Sequence, residues 1–244
     1  MSDNSESWNQ ISAEYQAGRG WPTESLAWGI RCPLENELRV LDEVRDKRVV
    51  VLGCGGGQDC MAISHLGPAY IAGVDASEAQ IQHARRLLGC KVHLVHHEIE
   101  TLPMFEDGAF DVVVSVHVLS YVREVAAVFR EAWRVLKPGG QLAFSVHHPV
   151  DAVTTDDPPY CFTQSYFQVE TEWSWFGGTP FRSWHRPLTE WFRLVREAGF
   201  EVERMLEPPP VDLEVWRRSG WNAEPYYSKL NTVPGTLIVS ARRR

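Results

Sequence analysis

Residues 49–60, VVVLGCGGGQDC, carry a run of apolar side chains directly into four glycines within five positions. A strand that ends in such a loop and continues into a helix places main-chain N–H groups at the carboxyl edge of a sheet, where open α/β folds bind their ligands. Each glycine costs backbone entropy in an ordered loop, so a turn without a ligand explains this many glycines poorly. The segment therefore predicts an α/β fold with a small-molecule site beside the loop.

Short apolar runs alternate with amphipathic stretches over the first two thirds of the chain, which is the pattern of βαβ units in a parallel sheet. Strands are predicted near 48–52, 70–75, 91–96, 110–116, 140–147, 200–206 and 235–241. Helices are predicted near 57–66, 77–88, 123–136 and 188–198. We therefore expect an α/β fold: a Rossmann-like, seven-stranded, mostly parallel sheet with an antiparallel last strand, helices on both faces and an aromatic-rich lid insert.

The 244 residues, 44% of them hydrophobic, are enough for one large core and predict a single domain, 1–244. Its expected parts are an N-terminal helical cap (1–45), a cofactor-binding core (46–150), a substrate lid insert (151–186) and C-terminal strands with a helix (187–244). Residues 151–186 are named the insert below.

The charge and the cysteine content limit which kinds of partner, and which cellular compartment, are expected for this chain. The net charge is −8 and the basic residues cluster only at Arg242–Arg244, so we expect no nucleic-acid partner. Five cysteines without CxxC spacing favour neither a disulfide framework nor a structural zinc site. Because no apolar run approaches the roughly 20 residues that cross a bilayer, and the first ten residues are polar, we expect a cytoplasmic protein without a membrane partner. A homodimer is left open.

Two classes of cofactor use a glycine loop in this position: dinucleotides and S-adenosylmethionine. A dinucleotide pyrophosphate favours the pattern GxGxxG, but counting from Gly53 and Gly55 puts Gln58 at the third glycine. Asp75 ends the predicted second strand, where a carboxylate can accept hydrogen bonds from both ribose hydroxyls of an adenosine. Because Ser77 already suits the N-cap of the next helix, ribose binding is the favoured role of Asp75.

Five segments in order carry a family resemblance over residues 45–150. They are LGCGGG, GVDASEAQIQHAR, EIETLP, DGAFDVVVS and RVLKPGGQLAFSVHHP. Together they resemble the class I S-adenosylmethionine-dependent methyltransferases of the small-molecule type, similar to the ubiquinone and menaquinone biosynthesis methyltransferases. The later segment HRPLTEWFRLVREAGFEVERMLEPPP resembles the same group. The resemblance implies S-adenosyl-L-methionine as the cofactor.

The resemblance also implies which residues hold the cofactor. In the loop and at the strand ends these are Gly53, Cys54, Gly55, Gly57, Gln58, Asp75, Ala76, Glu98, Ile99 and Val116. Of these, Ala76 would touch the adenine, and Glu98 with the Ile99 amide would bind its edge. The family usually has an acidic residue two positions before the first glycine, where this chain has Val51. Gln58, Asp59 or a polar residue of the N-terminal segment is then expected to hold the amino group of the cofactor.

The N-terminal segment SWNQISAEYQAG matches the pattern of the family and allows two interpretations. In one, Tyr15 closes over the cofactor. In the other, Trp8, Ile11 and Tyr15 lie at i, i+3 and i+7 and simply pack a helix onto the sheet.

Methyl transfer from a sulfonium is an in-line displacement, so most of the catalysis can come from holding the reacting atoms aligned. Where the acceptor must lose a proton, a histidine poised near neutrality is the natural base. His117 and the pair His147 and His148 follow predicted strands and are the candidate catalytic residues, with a packing role as the alternative for each. The three histidines at 93–97 do not share one face of a strand, so no metal site is predicted.

Substrate identity is expected to depend on the insert. Eleven of the 27 aromatic residues fall between 160 and 192, which predicts an apolar or planar substrate enclosed by a lid. The candidate substrate-binding residues are Tyr121, Tyr160, Tyr166, Trp175, Trp184 and His185. Between 148 and 186, five acidic residues against two basic ones give a net charge of −3, which disfavours a polyanionic substrate. Alternatively, half or more of these rings pack a small core of the insert itself.

The function predicted from these features is methyl transfer to a small aromatic or hydrophobic metabolite. A non-catalytic S-adenosylmethionine-binding protein and an NAD(P)-dependent oxidoreductase are the alternatives.

Overall fold

The computed structural model describes residues 4–18, 20–175 and 178–244, with the main chain alone at 173–175. The strands are β1 (Arg48–Leu52), β2 (Tyr70–Asp75), β3 (His93–His96), β4 (Phe110–Val116), β5 (Leu136–His147), β6 (Glu170–Trp175), β7 (Thr179–Trp184), β8 (Phe200–Leu206) and β9 (Thr236–Arg243). The helices are α1 (Ser5–Gly18), α2 (Glu35–Leu38), α3 (Gln58–Ser64), α4 (Glu78–Leu88), α5 (Val125–Val135), α6 (Leu188–Glu197), α7 (Glu214–Arg218) and α8 (Tyr226–Lys229).

Seven strands form one sheet in the order β3-β2-β1-β4-β5-β9-β8. Strands β1 to β5 run parallel, whereas β9 pairs antiparallel with both β5 and β8. The expected fold is confirmed, including the antiparallel last strand. The direction of winding changes between β1 and β4, and open α/β sheets bind ligands beyond the carboxyl ends of the strands at such a point.

Alternating side chains of β1 contribute to both cores of the molecule. Val50 and Leu52 belong to the apolar cluster that includes α5 and α6, whereas Val49 and Val51 belong to the cluster that includes α3 and α4. Successive side chains of a strand point to opposite faces, so a continuous apolar run marks a strand buried on both sides. Each of these buried side chains stabilises the fold by roughly 1.5–3 kcal/mol. They fix the position of the glycine loop that follows.

The helix α5 and the strand β5 meet without an intervening loop. Residues 137–140 were expected to end the helix, but β5 already begins at Leu136. Phe110 pairs with Leu136 and Val112 pairs with Gln141, so the register shifts at this point. The Lys-Pro-Gly-Gly segment is accommodated as an irregularity at the start of the strand, because proline and glycine weaken a regular ladder.

The insert forms an antiparallel hairpin, β6–β7, which the sequence did not predict. Helix α1 packs between this hairpin and α4. The Asn4 side-chain amide donates to the Arg182 carbonyl (2.8 Å), and the Ser7 hydroxyl donates to the Pro180 carbonyl (2.6 Å). On the other side, the Ser77 hydroxyl donates to Asn9 Oδ1 (2.8 Å). Helix α1 therefore lies across the carboxyl edge of the sheet.

Among the helices within the described residues, none is long and apolar enough to cross a membrane.

Candidate active site

A cavity of about 510 Å³ lies at the carboxyl ends of β1, β2, β4 and β5, at the point where the sheet changes its winding direction. Its volume falls within the range of roughly 300–1,000 Å³ that is usual for small-molecule sites. Helix α1 and the insert contribute side chains to the same cavity. The cavity is therefore enclosed by elements that are far apart in the sequence.

The glycine loop forms one wall of this cavity with its main chain. Gly53 has a φ of +71° and Gly55 a φ of +50°, a left-handed conformation that favours glycine. A Cβ at Gly53 would collide with the Val118 side chain, whereas a Cβ at Gly55 would meet open space. Gly53 and Gly55 both line the cavity, but Gly57 does not, because it packs against α4, where a Cβ would lie 2.7 Å from Leu88 Cδ1. Gly57 thus fixes the loop rather than forming the cavity wall.

Asp75, at the end of β2, is a cavity-lining carboxylate held by main-chain donors. Its Oδ2 accepts from the Gly55 N–H (2.8 Å) and its Oδ1 accepts from the Ser77 N–H (2.9 Å). Ser77 caps α4, since its hydroxyl accepts from the Gln80 N–H (3.2 Å). Burial raises the pKa of Asp75, and the two N–H donors oppose this rise. The carboxylate is therefore oriented rather than mobile, and both oxygens keep further acceptor capacity.

Beside Asp75, the cavity continues along the turn after β3. Ala76, Glu98 and Ile99 line it, as does Glu100. The Ala76 carbonyl is hydrogen-bonded to His96 Nε2 (2.9 Å), which ties the two turns together. Burial raises the pKa of Glu100, and the nearby Glu98 charge raises it further. This end of the cavity is acidic.

Asp59, in the first turn of α3, is a second buried carboxylate in the cavity wall. It is 9% exposed, and its Oδ1 accepts from the Trp21 indole N–H (3.0 Å). Burial raises the pKa of Asp59 to about 7, and the Trp21 hydrogen bond opposes this rise. No cation lies within ion-pair distance of Asp59 in the described part of the chain. Val51, which stands where the family usually has an acidic residue, is only 1% exposed and packs in the core. Among the carboxylates that line the cavity, Asp59 is the nearest in sequence to the glycine loop.

Helix α1 lines the cavity with Trp8, Tyr15 and Gln16, and Asn4, directly before the helix, lines it as well. Ile11 is buried, as expected if α1 packs onto the sheet, whereas Tyr15 lines the cavity, as expected if it closes over the cofactor. Each of the two interpretations therefore describes a part of this helix. The Trp8 ring lies edge-on to Tyr15 (5.4 Å between centroids) and to Tyr121 (5.7 Å). Gln16 bonds to the Gln58 side chain of the glycine loop and donates to Gln80 Oε1 of α4 (2.7 Å). These contacts hold the helix over the cavity.

His117 and His147 meet in the cavity wall at the ends of β4 and β5. Their ring centroids are 4.4 Å apart, and the φ of His117 is +54°. His117 Nε2 hydrogen-bonds to the Thr236 hydroxyl (3.3 Å), and the ring also bonds to the Trp28 main chain. Burial lowers the pKa of both histidines, so both are neutral at pH 7. Among the described residues His147 has no hydrogen-bond partner, so its ring nitrogens remain available to a ligand.

His148 does not line the cavity, although it follows His147 directly. Successive side chains of an extended chain point to opposite sides, and His148 is 2% exposed on the far side. Its Nδ1 accepts from the Val150 N–H (3.1 Å), so its Nε2 donates to the Glu207 carboxylate (2.7 Å). The packing alternative thus describes His148, while His147 stays a catalytic candidate.

Of the candidate substrate-binding residues, Tyr121 and His185 line the cavity. Trp184 is 3% exposed and packs inside the fold, away from the cavity. Tyr166 also lies outside it, because its hydroxyl accepts from the Leu188 N–H (3.2 Å) while its ring packs on His185 (5.4 Å). Tyr160 occupies a left-handed turn outside the cavity lining. The side chain of Trp175 falls outside the described residues.

Several cavity-lining residues were not assigned to the site from the sequence. These are Asn4, Gln16, Trp21, Glu100, Asp151, Gln164, Thr171, Ser183, Arg186, Trp191 and Trp221. For α1 a signal existed, since Asn4, Trp8 and Tyr15 are spaced by four and seven and share one helix face. For residues of the insert no local pattern distinguishes a cavity-lining side chain from one that packs the hairpin. No group of three or more potential ligands within the described ranges could hold a metal ion.

Comparison with known proteins agrees with this geometry. A family model described as a methyltransferase domain matches residues 50–144. A ubiquinone biosynthesis O-methyltransferase from Pseudomonas aeruginosa is 33% identical over 181 residues, which cover 70% of this chain and 74% of that protein.

Solved structures extend the similarity to most of the chain. An S-adenosylmethionine-dependent methyltransferase from Mesorhizobium loti superposes with a TM-score of 0.69 at 27% identity, covering 84% of this chain and 95% of that one. One from Listeria monocytogenes gives a TM-score of 0.70 at 25% identity, covering 85% and 94%. On the identity and coverage of these relatives, the chain belongs to the class I S-adenosylmethionine-dependent methyltransferases, and its cofactor is S-adenosylmethionine.

Proposed function

We propose that this methyltransferase acts on a small aromatic or hydrophobic molecule by in-line displacement. The observation that supports this most strongly is the continuity of one cavity. Gly55 and Asp75 line it at the ends of β1 and β2, and Tyr121 and His147 line it beyond β4 and β5. When bound, S-adenosylmethionine supplies a methyl group on a positively charged sulfur. The chain itself has to bind, orient and enclose both molecules, which is the main source of rate in such a transfer.

In this proposal the Asp75 carboxylate accepts hydrogen bonds from the two ribose hydroxyls of the cofactor. The free acceptor capacity of both carboxylate oxygens supports this role, as does the space that a Cβ at Gly55 would fill. Ala76 would contact the adenine ring, and Glu98 and the Ile99 amide would bind its edge. These residues fit the group, since adenosine offers hydroxyl and amino donors to an acidic wall.

Asp59 is assigned to the amino group of the cofactor. A buried carboxylate without a cation nearby is costly, and a ligand ammonium would offset that cost. Trp21 holds the carboxylate by its indole N–H (3.0 Å), while the apolar Val51 is buried in the core. Tyr15 of α1 would then cover the cofactor.

The acceptor molecule is assigned to the part of the cavity between β4, β5 and the insert. Trp8 and Tyr121 contribute aromatic surface there, with ring centroids 5.7 Å apart, which suits a planar or apolar body. His147 is assigned as the general base, because it is neutral at pH 7 and no group among the described residues bonds to its ring nitrogens. It would take a proton from an acceptor hydroxyl or amine as the methyl group arrives.

Titration calorimetry with S-adenosylhomocysteine tests the cofactor assignment. We expect Asp75→Ala to weaken binding about 100-fold, since two hydrogen bonds to a charged group at roughly 1.5 kcal/mol each are lost. The matched control is Asp111→Ala. Asp111 also accepts from a main-chain N–H, that of Arg48 (2.9 Å), but lies at the opposite edge of the sheet.

Equal binding by the wild type and the Asp75 variant would remove Asp75 from the site. Absence of any binding to S-adenosylhomocysteine by the wild type would contradict the whole assignment of the cavity. Loss of binding in the Asp111 variant would show that the effect comes from general damage to the sheet.

A further inference from the structure

Arg186 lies in the wall of the cavity, in the connection between β7 and α6. It is 7% exposed. Within the described ranges it is the only lysine or arginine that lines the cavity. The other lining residues from the insert at this end include the neutral Gln164, Thr171 and Ser183. A single positive charge therefore stands in a neutral polar and aromatic setting.

The guanidinium is held in place by main-chain carbonyls. Its Nη1 donates to the Trp184 carbonyl (3.0 Å), and its Nη2 donates to the carbonyls of Val122 (3.0 Å) and Arg123 (2.8 Å). Its Cζ lies 5.2 Å from the centroid of the Trp191 ring. These bonds use three of the five N–H donors of a guanidinium, which leaves the Nε–H and one Nη1–H. These contacts fix the orientation of the guanidinium before a ligand binds, and two N–H donors remain for that ligand.

No carboxylate within the described part of the chain forms an ion pair with Arg186. The two that act on it through space are Glu190 and Glu124. Glu190 is already paired with Arg193 (2.6 Å), and Glu124 is exposed. Burial lowers the pKa of Arg186 to about 10, because the charged form has lost its water without gaining a counter-ion. A buried cation of this kind is stabilised when an anion is brought to it.

The carboxylate that the insert contributes to the cavity wall within the described residues already has a partner. Asp151 is paired with Lys229 (2.9 Å between Oδ1 and Nζ), and both side chains are almost fully buried. Asp59, Asp75, Glu98 and Glu100 belong to the end of the cavity assigned to the cofactor. The two ends of the cavity therefore differ in charge, and the positive one is the end assigned to the acceptor.

Resting on the function proposed above, we propose that the methyl acceptor is a small aromatic or hydrophobic acid, whose single carboxylate is bound by Arg186. A charge-assisted hydrogen bond from the guanidinium fixes the acid group, while Trp8 and Tyr121 contact the apolar body. One carboxylate matches one free cation. A second anionic group would face the acidic end of the cavity and is excluded by repulsion.

Matched acids and amides test this with the full-length protein saturated with S-adenosylhomocysteine. The probes are benzoate against benzamide, 4-hydroxybenzoate against 4-hydroxybenzamide, and indole-3-acetate against indole-3-acetamide, all titrated calorimetrically. We expect at least one acid to bind ten times or more tightly than its amide. We expect Arg186→Gln to abolish that difference.

The control variant is Arg182→Gln. Arg182 lies on β7, four residues before Arg186, but it is exposed, paired with Glu172 (2.9 Å) and outside the cavity lining. This variant should keep the preference for the acid. Because Arg186→Gln also removes three bonds to carbonyls and could fail to fold, a second measurement uses the wild type. In protein labelled with 15N-arginine, the Arg186 Nε–H resonance should shift on addition of the acid and not of the amide.

Two results overturn the proposal. In the first, no acid binds more tightly than its amide, which includes the case in which neither binds. In the second, the preference for the acid over the amide persists in Arg186→Gln. Failure is separable from that of the proposed function. If S-adenosylhomocysteine itself does not bind, the cofactor assignment is wrong. If it binds and no acid is preferred, only the role of Arg186 is wrong.

Discussion

The two ends of the cavity are built in different ways. Three short stretches at the carboxyl ends of β1, β2 and β3 (53–59, 75–76 and 98–100) supply most of the cofactor end, and Tyr15 and Trp21 complete it. The acceptor end combines Trp8, Tyr121, His147 and Arg186, which come from four separate segments. A site at the ends of consecutive strands is specified by local sequence, whereas a site closed by a cap and an insert depends on long-range packing.

The two ends also differ in charge. Four carboxylates line the first, whereas the second has neutral imidazoles, one guanidinium and Asp151, which is paired with Lys229. We therefore expect that each end can be changed without changing the other, and three substitutions test that separation in order of expected effect.

The largest effect is expected from His147→Gln at the acceptor end. Loss of a general base typically costs about 100-fold or more in kcat, while the affinity for S-adenosylhomocysteine should be unchanged. Since burial lowers the pKa of His147, the wild type should keep its full rate above neutral pH and lose it only as pH falls through that lowered pKa. Turnover to S-adenosylhomocysteine, measured over a pH series with a methyl acceptor, checks both points.

His148→Gln is the control, because His148 points away from the cavity to Glu207. It should alter thermal stability more than turnover. A loss of cofactor affinity in His147→Gln would mean that the two ends are not separate.

A middle-sized effect is expected at the cofactor end from Asp59→Asn. Asp59 has a pKa of about 7 without the cofactor, and a bound ammonium would lower it. Affinity that depends on the ionised form is then complete above this pKa and declines as pH falls below it, by about tenfold between pH 8 and pH 6. Calorimetry with S-adenosylhomocysteine should show this slope in the wild type and a flat, roughly tenfold weaker affinity in the variant.

Methylthioadenosine, which lacks the ammonium, is the matched ligand and should bind both proteins equally at every pH. Trp21→Phe should move the slope to higher pH, because the Trp21 hydrogen bond lowers the pKa of Asp59. A flat profile in the wild type would contradict the role of Asp59.

The smallest effect is expected from Gln16→Ala, which loosens the cap. Gln16 bonds to the side chains of Gln58, at the start of α3, and of Gln80 in α4, but it is partly exposed. At about 0.5 kcal/mol each, the lower end of the usual range, the two lost bonds cost about 1 kcal/mol, so we expect a roughly fivefold weaker affinity for both methylthioadenosine and S-adenosylhomocysteine. Glu14→Ala, on the exposed face of the same helix, should leave both affinities unchanged.

The amount of the structure that can be predicted from the sequence also differs between the cofactor end and the acceptor end. The seven strands of the sheet are predicted because buried parallel strands read as apolar runs, and the position of Asp75 follows from the end of one of them. The start of β5 at Leu136 is not predicted, since pairing with Phe110 overrides the local preference of Pro138 and Gly139 for a turn.

At the acceptor end, the local sequence pattern predicts fewer of the cavity-lining residues. His147 and His148 are equivalent in sequence, and only the direction of each side chain separates them. Arg186 follows His185 in a polar stretch, and its burial depends on the carbonyls of Val122 and Arg123, some sixty residues earlier. Likewise Trp184 and Tyr166 pack the insert, as expected for a segment that needs a small core of its own.

Helix α1 packs against both sides of the cavity: the Ser77 hydroxyl at the start of α4 donates to Asn9, and the Ser7 hydroxyl donates to the Pro180 carbonyl of β7. One helix thus closes the cofactor end and the acceptor end together. We therefore expect the spent cofactor and the methylated product to leave by the same displacement of α1, so that neither is released while the helix stays in place.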